Sequence, residues 1–158
     1  MQMVHEMRRL RAEHAALATL SGFLMELVAT PEPPRPTELA AVRGMFRDTL
    51  VRHLKCEDWI LYPRLRATGD PDLMHITHEF ELEMGDLAAE YVAYDDKWTA
   101  ERVEAQWSEF RRDTIEAFGM LTTRVEREER ELYPLADKLY AAASALDPPI
   151  TGEATISS

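Results

Sequence analysis

Apolar residues recur along most of the chain at spacings of three and four, the period of a helix with one buried face. The first such stretch covers about residues 2–29. Its stripe is Met3, Met7, Leu10, His14, Leu17, Ser21, Leu24 and Val28, apolar except at His14 and Ser21. The segment Thr30-Pro-Glu-Pro-Pro-Arg-Pro36 ends it, because proline lacks a backbone donor and clashes within a helix. A second stretch starts near Thr37, a residue suited to an N-cap. Its stripe is Leu39, Val42, Phe46, Leu50, His53, Glu57 and Ile60, and Pro63 is expected to kink or end it. The turn Ala67-Thr-Gly-Asp-Pro71 follows. The third stretch runs to about residue 94 with the stripe His75, His78, Leu82, Gly85 and Ala89. The fourth covers about residues 99–141, with a kink expected at Pro134. It presents Val103, Trp107, Phe110, Thr114, Phe118, Leu121, Val125, Glu128, Leu132 and Leu135. Residues 142–158 show no periodicity and are expected to form a flexible tail.

Four amphipathic helices with short connections predict an all-α fold, an antiparallel up-down four-helix bundle over residues 1–141. No segment alternates as a strand does. The length, 158 residues, suits one domain. An internal echo links the second and fourth helices. Glu57-Asp-Trp-Ile-Leu-Tyr-Pro63 and Glu128-Glu-Arg-Glu-Leu-Tyr-Pro134 share an acid-acid-x-x-Leu-Tyr-Pro pattern 71 residues apart. The two helices read as partners in a pseudo-repeat, each placing one glutamate at the same height.

Charge narrows the function classes. The chain carries 29 acids against 18 bases, a net charge of −11. Such a field repels phosphate backbones and anionic lipid, which argues against nucleic-acid and membrane partners. No apolar run approaches the roughly 20 residues of a spanning helix. Arg8, Arg9 and Arg11 precede an apolar stretch, but Glu13, His14 and Glu26 interrupt the pattern of a signal peptide, so the segment reads as a mature helix. The single cysteine, Cys56, excludes an internal disulfide and suits a reducing cytoplasm.

The informative residues are ionisable groups on stripes that should be apolar: His14, His53, Glu57, His75, His78 and Glu128. Burying imidazoles and carboxylates is costly unless they pair or bind a metal. His53 and Glu57 are four apart and His75 and His78 three apart, so each pair shares a helix face. Taken singly, each has an ordinary reading as a core histidine, an ion pair or a solvated charge. Together they suit iron, zinc or manganese held inside the bundle. Cys56 reads as a packed thiol. Tyr62 and Tyr133 read as anchors of helix ends, and Trp59, Trp98 and Trp107 as core or boundary aromatics. There is no glycine-rich phosphate loop and no Gly-x-Ser-x-Gly.

Four segments in order resemble the hemerythrin family in its single-domain HHE cation-binding form. They are Arg-Ala-Glu-His14, His53-Leu-Lys-Cys-Glu57-Asp-Trp-Ile-Leu-Tyr-Pro63, His75-Ile-Thr-His78-Glu and Glu128-Glu-Arg-Glu-Leu-Tyr-Pro134. The resemblance implies a non-haem di-iron centre in which His14 and His53 ligate one iron, His75 and His78 the other, and Glu57 and Glu128 bridge. It implies binding or sensing of dioxygen, peroxide or nitric oxide. The family usually has a further histidine four residues before the last bridging acid, where this chain has Arg124. That departure leaves three outcomes open: two irons per chain with an extra open position, a mononuclear iron or zinc site, or a metal-free bundle. The expected role is binding, sensing or slow detoxification, with peroxide decomposition as an enzymatic variant. A regulatory bundle acting on a protein partner is the alternative. Nothing in the sequence indicates a pocket for an organic substrate.

Overall fold

The structure is a computed structural model that describes residues 2–146. Among these, every regular element is helical. Helix α1 is Gln2–Val28. Helix α2, Pro36–Cys56, starts with a proline in its first turn, where the missing donor leaves nothing unpaired. It continues through a wide turn, Glu57–Leu61, into α3, Tyr62–Arg66. Helix α4 is Pro71–Met84, capped by the Asp70 carboxylate, which accepts the N–H groups of Asp72 and Leu73. Helix α5 is Leu87–Lys97 and α6 is Ala100–Ala105. Helix α7, Trp107–Arg127, passes through a second wide turn, Glu128–Leu132, into α8, Tyr133–Leu146. Four rods result: α1, α2–α3, α4–α5 and α6–α8. The rod α1 packs along α2 and against α7 and α8, while α5 packs against α2 and α7. No described helix is long and apolar enough to cross a membrane. Helix α8 extends five residues past the expected end, and residues 147–158 of the expected tail lie outside the described residues.

Pro63 and Pro134 do not end their helices. In each wide turn a backbone N–H reaches five residues back instead of four, Tyr62 to Glu57 and Tyr133 to Glu128. Each turn lies just before a proline, whose ring would strike the carbonyl four residues back and offers it no donor. One extra residue in the turn relieves both problems, and the helix runs on. The extra residue also advances the buried face by one position. Leu61, Tyr62 and Leu65 go inward, while Ile60 is exposed and Trp59 is 73% exposed. The same shift buries Tyr133 and Ala136 beside the expected Leu132 and leaves the expected Leu135 only partly buried. The expected inward Ile60 and core or boundary Trp59 are corrected by this register change.

The third rod also differs from its expected stripe. Helix α4 buries Leu73, Thr77 and Phe80, with Ile76 packed beside them. At about 100° per residue, His75 and His78 fall on the opposite side, and both are exposed. Gly85 then breaks the rod. A Cβ there would collide with the Glu81 carbonyl oxygen, which accepts the Gly85 N–H at 2.9 Å. Beyond the break, Leu87 and Tyr91 take the inward positions.

The apolar core is divided. One cluster gathers Leu17, Leu24, Phe46, Leu50, Leu54, Phe118 and Leu121. The other gathers Met7, Leu10, Leu61, Leu65, Phe80 and Leu132. Along α1, α2–α3 and α7–α8 alike, the residues between the two clusters are ionisable.

Candidate metal centre

The layer between the clusters contains His14 from α1, His53 from α2, Arg124 from α7, and Glu57 and Glu128 from the first positions of the two wide turns. All five are buried. His14, His53, Glu57 and Glu128 each offer one ligand atom, and these atoms lie within 4.8 Å of one another. The local sequence explains the convergence. His53 and Glu57 are one helical turn apart, and so are Arg124 and Glu128. The 71-residue offset that relates the two glutamates also places Arg124 where the repeat has His53.

Each glutamate divides its oxygens between two sides. On one side, Glu57 Oε1 contacts His53 Nε2, lies 3.6 Å from His14 Nε2 and accepts the Tyr133 hydroxyl at 2.7 Å. Glu128 Oε2 lies 3.4 Å from His14 Nε2. On the other side, Arg124 Nη2 donates to Glu57 Oε2 at 3.0 Å and Arg124 Nε to Glu128 Oε1 at 2.6 Å. The Tyr62 hydroxyl accepts from Arg124 Nη2 at 3.2 Å and donates toward the same two oxygens at 3.4 and 3.3 Å. Asp58 adds a carboxylate 3.5 Å from Arg124 Nη2. Two carboxylates shared in this way resemble a bridge between two cations. The guanidinium fills one side, and the imidazoles border the other.

Outer carboxylates orient the imidazoles. His14 Nδ1 lies 2.8 Å from Glu129 Oε1, and a carboxylate only accepts, so Nδ1 carries a proton and Nε2 faces the cluster. Glu13 Oε1 faces His53 Nδ1 at 3.5 Å. The His14 ring stacks on Tyr133, with centroids 5.1 Å apart. Contacts of this kind hold each ring in place and fix which imidazole nitrogen is left facing the cluster. Glu13 and Glu129 were missed in the sequence. Each adjoins a candidate ligand, His14 and Glu128, and that adjacency is the only signal they give.

The electrostatics follow from burial and pairing. Burial alone would raise the Glu57 carboxyl, but His53, His14 and Arg124 outweigh it and hold it well below the usual range. Burial and the neighbouring Glu57 push the Glu128 carboxyl up to about 7. Burial opposes charge on His14, yet the Glu128 and Glu57 carboxylates beside it raise it to about 10. Burial is likewise outweighed at His53, which Glu57 and Glu13 raise to about 9. Protons on the imidazoles thus take the place of a cation. Several buried atoms lie beside ionic partners without forming a hydrogen bond: both nitrogens of His53, Glu128 Oε2 and Glu13 Oε1. Imidazole nitrogens and carboxylate oxygens left in this way form a donor set that fits one divalent ion.

Four of the six sequence-nominated residues, His14, His53, Glu57 and Glu128, meet in this layer. His75 and His78 do not. The side chain of His75 is 75% exposed and pairs with Glu79 at 3.1 Å on the surface of α4. Tyr62 and Tyr133, read as helix-end anchors, are buried with their hydroxyls on the cluster carboxylates. A cavity of about 240 Å³ opens beside the layer, between α1, α2 and α7. No curated protein and no solved structure matches the chain. The family model of the hemerythrin HHE cation-binding domain matches residues 5–136. The chain belongs to the hemerythrin HHE cation-binding family.

Proposed function

We propose that this chain is a hemerythrin-like protein holding a single iron ion, which binds or senses dioxygen, peroxide or nitric oxide. The division of the Glu57 and Glu128 oxygens between Arg124 and the imidazoles carries this reading. It leaves one cation position for an ion, bordered by His14 and His53. Two histidines and carboxylates are a donor set suited to non-haem iron, and zinc or manganese share it. Iron there would supply an open coordination position for a small ligand. The residues of the chain do the rest. His14 and His53 present Nε2, Glu129 and Glu13 orient the rings, and the Tyr133 hydroxyl holds Glu57 Oε1. Arg124 and Tyr62 keep the opposite carboxylate oxygens neutralised. Two apolar clusters flank the layer on either side.

A metal count per chain tests the proposal, with an absorption spectrum of the same aerobic sample. One iron per chain without an oxo-bridge charge-transfer band supports it. Two irons with that band would restore the di-iron reading and refute the single site.

A second reading has its own observation. Arg124 and the imidazole protons balance the carboxylates without any ion. In that case the bundle is regulatory and acts on a protein partner. Absence of stoichiometric metal after anaerobic iron loading would favour it.

A further inference from the structure

The cavity beside the layer is larger than a diatomic ligand requires. Its volume is about 240 Å³. An apolar protein cavity of about 150 Å³ already accommodates benzene, and one water occupies about 30 Å³. The mouth lies between α1 and α7, where Ala18, Thr122 and Glu126 are exposed. The walls are Leu17, Leu50, Leu54, Phe118 and Leu121. The far end is the ionisable layer, with His14, His53, Arg124 and Glu128 lining it. Walls of this kind hold water poorly and an apolar body well.

Two observations define the head group of an occupant. Glu128 Oε2 is buried at this end, within ion-pair range of His14 Nε2 at 3.4 Å but without a hydrogen bond, so an O–H donor completes it. An anionic head has no cation to meet. Arg124 is already on Glu57, Glu128 and Asp58, and His14 and His53 already face Glu57, Glu128, Glu129 and Glu13. Glu126 at the mouth and a net charge of −11 add to that repulsion.

We infer that this cavity binds a small, neutral, apolar molecule ending in an O–H group, an alkyl hydroperoxide or alcohol, with that group directed at Glu128. The inference deepens the proposed peroxide-type ligand and rests on that reading only at its polar end. The apolar body of the cavity is independent of any ion.

The test is a titration of the full chain, metal-free and zinc-loaded, with 2-phenyl-2-propanol, followed by calorimetry and proton NMR. Metal content is measured on the same samples. Saturable binding is expected to the metal-free chain. The isostere tert-butylbenzene, which has a methyl in place of the hydroxyl, should bind at least about tenfold more weakly, because it leaves the carboxylate oxygen unpaired. Ala18→Trp places a large ring at an exposed mouth position of α1, so the fold is retained, and binding should fall by a similar factor. Cumene hydroperoxide should compete with the alcohol, and the tighter of the two identifies the natural source. No saturable binding overturns the inference, as does equal binding of the isostere or undiminished binding by Ala18→Trp with an unchanged circular dichroism spectrum. Failure to take up metal sinks the single-ion reading alone, because binding is scored on the metal-free chain.

Discussion

Replacing Arg124 by methionine keeps most of the side-chain volume and removes the charge. In the folded chain the guanidinium donates to Glu128 Oε1 at 2.6 Å, to Glu57 Oε2 at 3.0 Å and to the Tyr62 hydroxyl at 3.2 Å. Both carboxylates are buried. Removing one partner of a buried ion pair costs about 3–5 kcal/mol, because the charges left behind stay desolvated. A domain has about 5–15 kcal/mol in all, so the loss is a large share of it. With a urea slope of about 2 kcal/mol per molar, the unfolding midpoint should fall by about 2 M. In heat the same loss corresponds to roughly 6–20 °C for a chain of this size. The deficit should depend on pH. Glu128 is already raised to about 7, and without Arg124 its folded value rises further. A carboxyl whose folded value lies above its unfolded value of about 4.3 costs stability increasingly as pH rises. The variant should therefore be worse at pH 8 than at pH 5. Zinc should shrink the deficit by supplying another cation to the same carboxylates. Urea melts of both metal-free proteins at the two pH values decide the matter. A midpoint at pH 8 within about 0.3 M of the parent would show that Arg124 does not neutralise the pair.

Further outcomes follow from the same geometry. His14→Ala, His53→Ala, Glu57→Ala and Glu128→Ala should each lower metal content, whereas His5→Ala and the double variant His75→Ala/His78→Ala should not; metal loss in the double variant would return α4 to the site. Arg124→His offers an imidazole at the guanidinium position and should raise the ion count above one per chain, read by elemental analysis, with no change meaning that the position cannot take a metal. His14 and His53 hold their protons up to about 10 and 9, above the unfolded value of about 6.5, so the metal-free chain should lose melting temperature as pH rises from 7 to 10. Metal uptake at pH 7.5 should then release about two protons per ion in a weakly buffered titration. Gly85→Ala should destabilise the chain, because the new Cβ meets the Glu81 carbonyl, and an unchanged melting temperature would show that the break between α4 and α5 needs no glycine.

The four rods were legible because each carries a long apolar stripe at helical spacing and proline or polar breaks mark the joins. His14, His53, Glu57 and Glu128 were legible for a related reason: they interrupt those stripes. The register after Glu57 and Glu128 was not. A wide turn inserts one residue without altering composition, and its only sign is the proline that follows. The third rod misled for a different reason. Leu73, Ile76, Thr77 and Phe80 form a stripe at the same period as His75, His78, Leu82 and Gly85, and periodicity alone does not choose between them. The first set is the more apolar, and it faces the core. Arg124 was legible as a departure, but its inward aim depends on the partners that face it across the bundle. The cavity left no trace in the sequence, since its walls come from three helices, α1, α2 and α7, that only the fold brings together.

Arg124 also bears on electrons. In the single-ion reading, the second cation position is filled by a group with one fixed charge and no accessible second valence. A pair of irons would offer two ferrous–ferric couples to one ligand; a single iron beside a guanidinium would offer one. A two-electron conversion confined to that couple would then need its other electron from outside the ion. The Tyr133 ring, stacked on His14 with its hydroxyl on Glu57, is one oxidisable group that the layer provides. Exchanging a metal for an arginine thus changes the stoichiometry of the chemistry the fold can support, while the helices around it keep their places.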